Sequence, residues 1–200
     1  MREGRRALML AAFILSAHGL SACGQSSQAP QVDAPAINLT IGPDGAAGVT
    51  GPIQMTIEAL SNAAPGYDVA EAQDQIEGDP FTKITLSRGG EAVFDVMPTA
   101  DGQRVHSIVT DSPEARGPRG EIIGQSTFGQ APAAEVLFCR TPEMHEDFSF
   151  ICADTETGRF WRAYRLAEGY EGTRAPFAEI DPDAAIAAQL SSMTWVAPRS

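Results

Sequence analysis

FTKITLSRGGEAVFDVMPTADGQRVHSIVT, running from Phe81 to Thr110, is the stretch whose reading decides the fold. Apolar and polar residues alternate in three runs, Phe81–Ser87, Glu91–Met97 and Arg104–Thr110, and a period of two is the signature of a half-buried strand. Gly89-Gly90 and Asp101-Gly102 separate the runs and supply the positive φ that tight hairpins demand. Ile84 with Leu86, Phe94 with Val96, and Val105 with Val109 then fall on one face. The segment predicts an antiparallel meander with that face in the core.

Outward from the meander the pattern continues with turns and short helices. Upstream, glycines at 42, 45, 48 and 51 resemble collagen triplets but are far too few for a triple helix, so residues 42–51 read as a Gly-rich loop. Thr56 to Ala64 predicts a short helix, with Thr56 as N-cap, Ile57 and Leu60 at helical spacing, and Pro65-Gly66 as the stop. Downstream, a Pro- and Gly-rich loop spans Asp111–Gly120. Glu121–Gly124, a short helix near Thr127–Gln130, and strands at Glu135–Cys139, Phe148–Cys152 and Phe160–Leu166 follow it. Asp181 or Asp183 caps a last helix through Leu190, and Met193–Val196 reads as a closing strand. Strands outnumber helices and parallel βαβ spacing is absent. The expectation is an α+β single domain, an antiparallel sheet (meander) with two or three short helices.

The chain of 200 residues is 43% apolar, enough to bury a core, and carries 14 basic against 26 acidic side chains for a net charge of −12. Lys83 is its one lysine. That average repels polyanions, and the nearest thing to a basic patch, Arg159, Arg162 and Arg165, is interrupted by aromatics and flanked by Glu156 and Glu168; no nucleic-acid partner is expected.

The N-terminus reads as an address. Arg2, Arg5 and Arg6 precede an apolar stretch from Ala7 to Ala17, long enough for a signal-peptide core and too short to span a bilayer. Leu20-Ser21-Ala22-Cys23 then has the form of a bacterial lipobox, in which the Cys23 thiol accepts a diacylglyceryl group and becomes the new N-terminus. The expected organisation is a signal peptide over 1–22, a lipidated Cys23 with a flexible tether over 23–40, and one domain over 41–198. Removing residues 1–22 takes away three Arg and Glu3 and leaves 11 basic against 25 acidic side chains, a charge of −14. Acyl chains anchor at about 0.8 kcal/mol per buried methylene, and the Gln-, Ser- and Pro-containing leash has a reach on the order of 20 Å. Gly24, rather than Asp, after the cysteine points to the outer membrane, with the domain in the periplasm; the inner membrane is the second possibility.

Once Cys23 is lipidated, Cys139 and Cys152 are the thiols that remain. An oxidising compartment favours their pairing across the polar loop 140–147, worth roughly 3 kcal/mol on the chain-entropy account. Two free buried thiols are the alternative; a redox pair lacks the usual Cys-x-x-Cys spacing. Glu143, His145, Glu146 and Asp147 in that loop have neither the alternate carboxylates nor the turn glycine of a calcium loop and read as a solvated tip. Ser126, His106 and Asp111 contain the residue types of a triad, but Gly124–Gly129 lacks the Gly-x-Ser-x-Gly elbow. Trp161, Tyr164 and Trp195 read as core rather than as a ligand cleft. No catalytic residue, metal or cofactor is assigned.

Gly120-Glu-Ile-Ile-Gly-Gln-Ser-Thr-Phe128, the pair Cys139 and Cys152, Tyr164 and Met193-Thr-Trp195, together with the lipobox, resemble the envelope-stress (sigma-E, RpoE)-regulated bacterial lipoprotein family of unknown function. The resemblance implies a lipidated, disulfide-containing α+β domain in the envelope, with no catalytic residues to carry over. The functional expectation is a non-enzymatic lipoprotein that engages an envelope protein partner. A small-ligand-binding or inhibitor module is the alternative, and a hydrolase ranks third. Cys23→Ser is expected to release the protein from membranes into the soluble fraction; continued sedimentation with membranes refutes lipidation at that residue.

Overall fold

The computed structural model describes residues 36–76, 78–130, 137–142, 149–170 and 176–199. Cys23, the signal segment and the acidic stretch Glu143, His145, Glu146 and Asp147 lie outside the described residues.

The alternating runs form strands β4 (Asp79–Arg88), β5 (Glu91–Pro98) and β6 (Val105–Thr110). Gly89 and Gly90 take φ of 59° and 88° between the first two, the left-handed region that glycine adopts without the strain a Cβ would bring. Ile84, Leu86, Phe94 and Val96 are buried on one face as the period predicts. Val109 is not on it. The β5–β6 register slips between Met97 and Pro98, so that Pro98 faces Val105 but Met97 faces Ser107. One extra residue in β6 inverts the alternation, and Ile108 takes the core position opposite Val96.

Upstream, β1 (Ile41–Gly42) and β2 (Gly45–Ala46) make a small hairpin inside the Gly-rich stretch. Helix α1 (Ile57–Ala63) is capped by Thr56, whose side chain accepts the Ala59 N–H at 3.2 Å. Its Leu60 is fully buried, whereas Ile57 is exposed. A strand with almost no apolar signal follows, β3 (Asp68–Ile76). Downstream come β7 (Phe138–Arg140), β8 (Phe150–Ala153) and β9 (Phe160–Arg165); the expected starts of the first two, Glu135 and Phe148, lie outside the described residues. Helix α2 (Pro182–Ala187) begins at Asp181, which accepts the N–H groups of Asp183 and Ala184. The chain closes with β10 (Gln189–Val196).

The sheet is eight-stranded and antiparallel, in the order β3-β4-β5-β6-β10-β9-β8-β7. The last strand is central. Ile84, Val96, Ile108, Trp195 and Phe160 stand opposite one another in successive strands, a row across five strands in which no member exceeds 2% exposure. At about 1.5–3 kcal/mol per buried large side chain, this row is a major part of the core.

The α+β expectation is therefore overturned: the described architecture is mostly β, with two helices of seven and six residues. Two segments account for the difference, one without a strand pattern in the sequence and one read as helix too far. Residues 68–76 carry acids and Gln where a core strand would carry apolar residues, because β3 is an edge strand with most of its length in solvent. The last helix does not run through Leu190. It stops at Ala187, since Ala188 is extended and Leu190 is committed to the sheet opposite Tyr164. Among the described residues no helix is long and apolar enough to cross a membrane.

Trp195→Ala is expected to cost about 3–5 kcal/mol of unfolding free energy, and Phe138→Ala, half exposed on the other edge strand, about 1 kcal/mol or less. Urea titrations of the two variants check this; equal losses would show that β10 is not the centre of the core.

Candidate functional site

Strand β4 pairs with all of β3, from Asp79 opposite Ile76 to Ser87 opposite Asp68. It pairs with β5 only from Ile84 onward. Residues 72–76 and 79–83 therefore form a two-stranded ribbon that runs about 15 Å past its neighbour, at roughly 3.3 Å per residue. β5 itself stops at Pro98, which has no N–H to offer a neighbour, while β4 begins five residues before its first β5 pair at Ile84. Between the ribbon and the β5–β6 end opens a groove of about 870 Å³. Met55, Ile84 and Met97 give it an apolar lining, Glu71, Asp74 and Asp79 contribute carboxylates, and His106 reaches it from β6. Ile76, at the ribbon's end, is 65% exposed.

The ribbon's electrostatics follow from one cation. Lys83 Nζ lies 2.9 Å from Asp74 Oδ2 and 2.8 Å from Asp95 Oδ2, and Thr85 donates to the other Asp95 oxygen at 2.8 Å. Hydrogen bonds from Lys83 and from the Gln75 N–H hold the Asp74 carboxyl below its usual range. Burial works to lower the Lys83 pKa, but the hydrogen bonds and charges of Asp95 and Asp74 together outweigh it and hold the ammonium above its ordinary value. Glu71 and Asp79 are in no ion pair among the described residues.

The triad residues are not brought together. His106 faces the groove, Asp111 lines a separate polar concavity of about 400 Å³ with Asp95, Arg165 and Ser192, and Ser126 Oγ accepts the Ile122 N–H at 2.9 Å within its own turn. The two cysteines are brought together. Cys139 and Cys152 stand directly opposite each other in β7 and β8 with Cα atoms 4.1 Å apart, and a disulfide joins them. Among the described residues no group of three His, Cys, Asp or Glu is placed to hold a metal ion. Tyr164 and Trp195 are core residues. Tyr164 stacks on Phe150 at 5.3 Å between ring centroids, and burial pushes its hydroxyl up to about 12. Trp161 lies under the Arg140 guanidinium, 5.2 Å away.

A buried charge cluster went unread in the sequence. Arg162 is 1% exposed, between Phe160 and Tyr164 on the inner face of β9. Its Nε donates to Glu121 Oε1 at 3.0 Å and its Nη1 to Asp154 Oδ1 at 2.8 Å, while its Cζ sits 4.5 Å over the Phe160 ring. Nη2 is also in ion-pair contact with Glu121 Oε1 at 2.9 Å but makes no hydrogen bond. Glu121 Oε2 accepts the Arg119 N–H, and a Cβ at position 117 would come within 2.5 Å of it, so Gly117 makes room for the carboxylate. The signal was the period of two: Phe160, Arg162 and Tyr164 share one face.

No family model and no curated protein matches the chain. A solved structure does. The uncharacterized protein YfeY from Escherichia coli superposes with a TM-score of 0.53 at 14% identity, over 78% of this chain and 99% of that one. The likeness is one of fold.

Glu121→Ala is expected to destabilise by about 3 kcal/mol or more, because it strands a buried guanidinium, and Glu121→Ala/Arg162→Met to recover part of that loss. Urea unfolding of the single and double variants checks it; purely additive losses would show that the two side chains are not coupled.

Proposed function

We propose that this chain is a non-enzymatic, periplasm-facing lipoprotein of the bacterial cell envelope, held by acyl chains on Cys23, that works by engaging a protein partner through the β3–β4 ribbon. The lipobox and Gly24 support the anchoring and the outer membrane, and the resemblance to the envelope-stress-regulated lipoproteins supports the setting. The observation that carries the partner reading is the ribbon itself: a two-stranded overhang of an acidic chain with Ile76 at its tip, the most exposed large apolar side chain among the described residues. Small-ligand binding is the second reading. A groove of about 870 Å³ with an apolar lining falls in the size range of small-molecule sites.

A photo-crosslinking residue at Ile76 or Phe81, introduced into the lipidated protein in cells, is expected to capture one envelope protein, while the same residue at Glu179 or Ile186 captures none of it. Indiscriminate capture from both sets rejects the ribbon as the partner site. A small molecule that co-purifies and is displaced by Met97→Trp, with no capture at the ribbon, establishes the second reading instead.

A further inference from the structure

We infer that the free edge of β3 takes up an extended basic segment of the partner as an added antiparallel strand. This rests on the ribbon being the binding end and names the chemistry of what it binds.

The sheet has two edges, and they are built differently. β7 is three residues long and is fastened to β8 by the Cys139–Cys152 disulfide. β3 is nine residues long, pairs with β4 at every position without a register shift, and among the described residues has no strand on its other side. In an antiparallel strand every second residue turns its N–H and C=O away from the neighbour, so β3 presents a row of outward backbone groups about 30 Å long, of which the Gln75 N–H near the ribbon's end is taken by Asp74 Oδ1 at 2.8 Å. Proteins usually guard such an edge with Pro, Lys or a bulge. β3 has none of these. Its charges are Asp68, Glu71 and Asp74, with no basic residue. The one nearby ammonium, Lys83, is shared between Asp74 and Asp95.

That edge selects its occupant by charge. A second copy would bring carboxylates against carboxylates, and like charges opposed across strands destabilise pairing. The chain's own tether, residues 24–35, carries Asp33 and no Lys or Arg, so it offers no complement. An extended segment with alternate Lys or Arg on the face that Asp68 and Asp74 share gains the backbone ladder and the charge pairing together.

The test uses the full mature lipoprotein in neutral detergent and fluorescein-labelled nonapeptides. One alternates Lys and Val. A second alternates Lys and Pro with the Lys backbone nitrogens methylated, keeping the charge but losing every donor. A third alternates Gln and Val, keeping the donors but losing the charge. The Lys/Val peptide is expected to bind at least tenfold more tightly than either control, and to protect the amides of residues 68–76 from hydrogen exchange. Asp68→Asn/Asp74→Asn, which removes the two carboxylates that share one face of β3, is expected to weaken it at least fivefold, with little effect from the charge-matched Glu179→Gln/Asp183→Asn. Equal binding of the Lys/Val and Lys/Pro peptides overturns strand addition, as do equal losses from the two double variants, protection centred on residues 97–107, or a dimer in sedimentation whose β3 is already protected. The in-cell capture at Ile76 is read separately, so a failed ladder and a failed partner site give different results.

Discussion

Strand β10 is what makes one sheet of two meanders. The first four strands follow one another along the chain, as do the next three, and neither set pairs with the other. β10 pairs with β6 on one side and β9 on the other, through Trp195 opposite both Ile108 and Phe160. Both contacts are remote in sequence, so their loop-closure entropy must be met before the row across the sheet is complete. By the same logic the fold belongs to the slower, high-contact-order class. Around this row the other elements act as covers. Phe128, in a 3₁₀ turn, packs edge-on against Phe150 and Tyr164 at 5.3 Å, and its N–H donates to the Ala188 carbonyl at the end of α2.

Arg162 shows how a polar group is accommodated beside that core. A lone buried guanidinium would be very costly, and the structure surrounds it with Glu121, Asp154 and the face of Phe160. A pair of this kind contributes little net stability compared with an apolar replacement, but it demands a particular geometry. Here the demand fixes the loop before Glu121. That loop is also bonded to the N-terminal segment, since Arg116 exchanges backbone hydrogen bonds with Leu39 and Ile41. The Pro- and Gly-rich stretch 111–120 is thus a fitted part of the body and not a linker.

What could be read from residues alone depended on whether burial and periodicity agreed. β4 and β5 lie on the core and alternate cleanly, so their face was legible from Ile84, Leu86, Phe94 and Val96. β6 was legible as a strand, but its bulge moved Ile108 inward in place of Val109, and a bulge leaves no mark in a period-of-two pattern. β3 was invisible because edge position removes the apolar signal by which strands are recognised. The end of α2 was misplaced because capping at Asp181 and an Ala-rich run report where a helix starts, whereas sheet pairing at Leu190 decides where it stops. The cysteine pair was legible from the expected compartment and from which side chains share a face. The groove was not, since it arises where β4 outruns β5, a difference in length between neighbours that neither strand records by itself.

The acidity of the chain takes on a more specific meaning at the ribbon. A long open edge is a hazard because it pairs with anything extended, including its own copies. Lysines are the common guard, but this chain has one, and it is occupied between two aspartates. Acids of one sign guard against self-association equally well, because every copy carries the same sign. They do so asymmetrically: the charges that repel a second β3 attract a strand of opposite charge, and only weakly hinder a neutral one. An edge protected in this way is closed to its own kind and open to basic segments. The length of β3, its unbroken register and its charge therefore belong together as one device, and none of the three would have that effect without the other two.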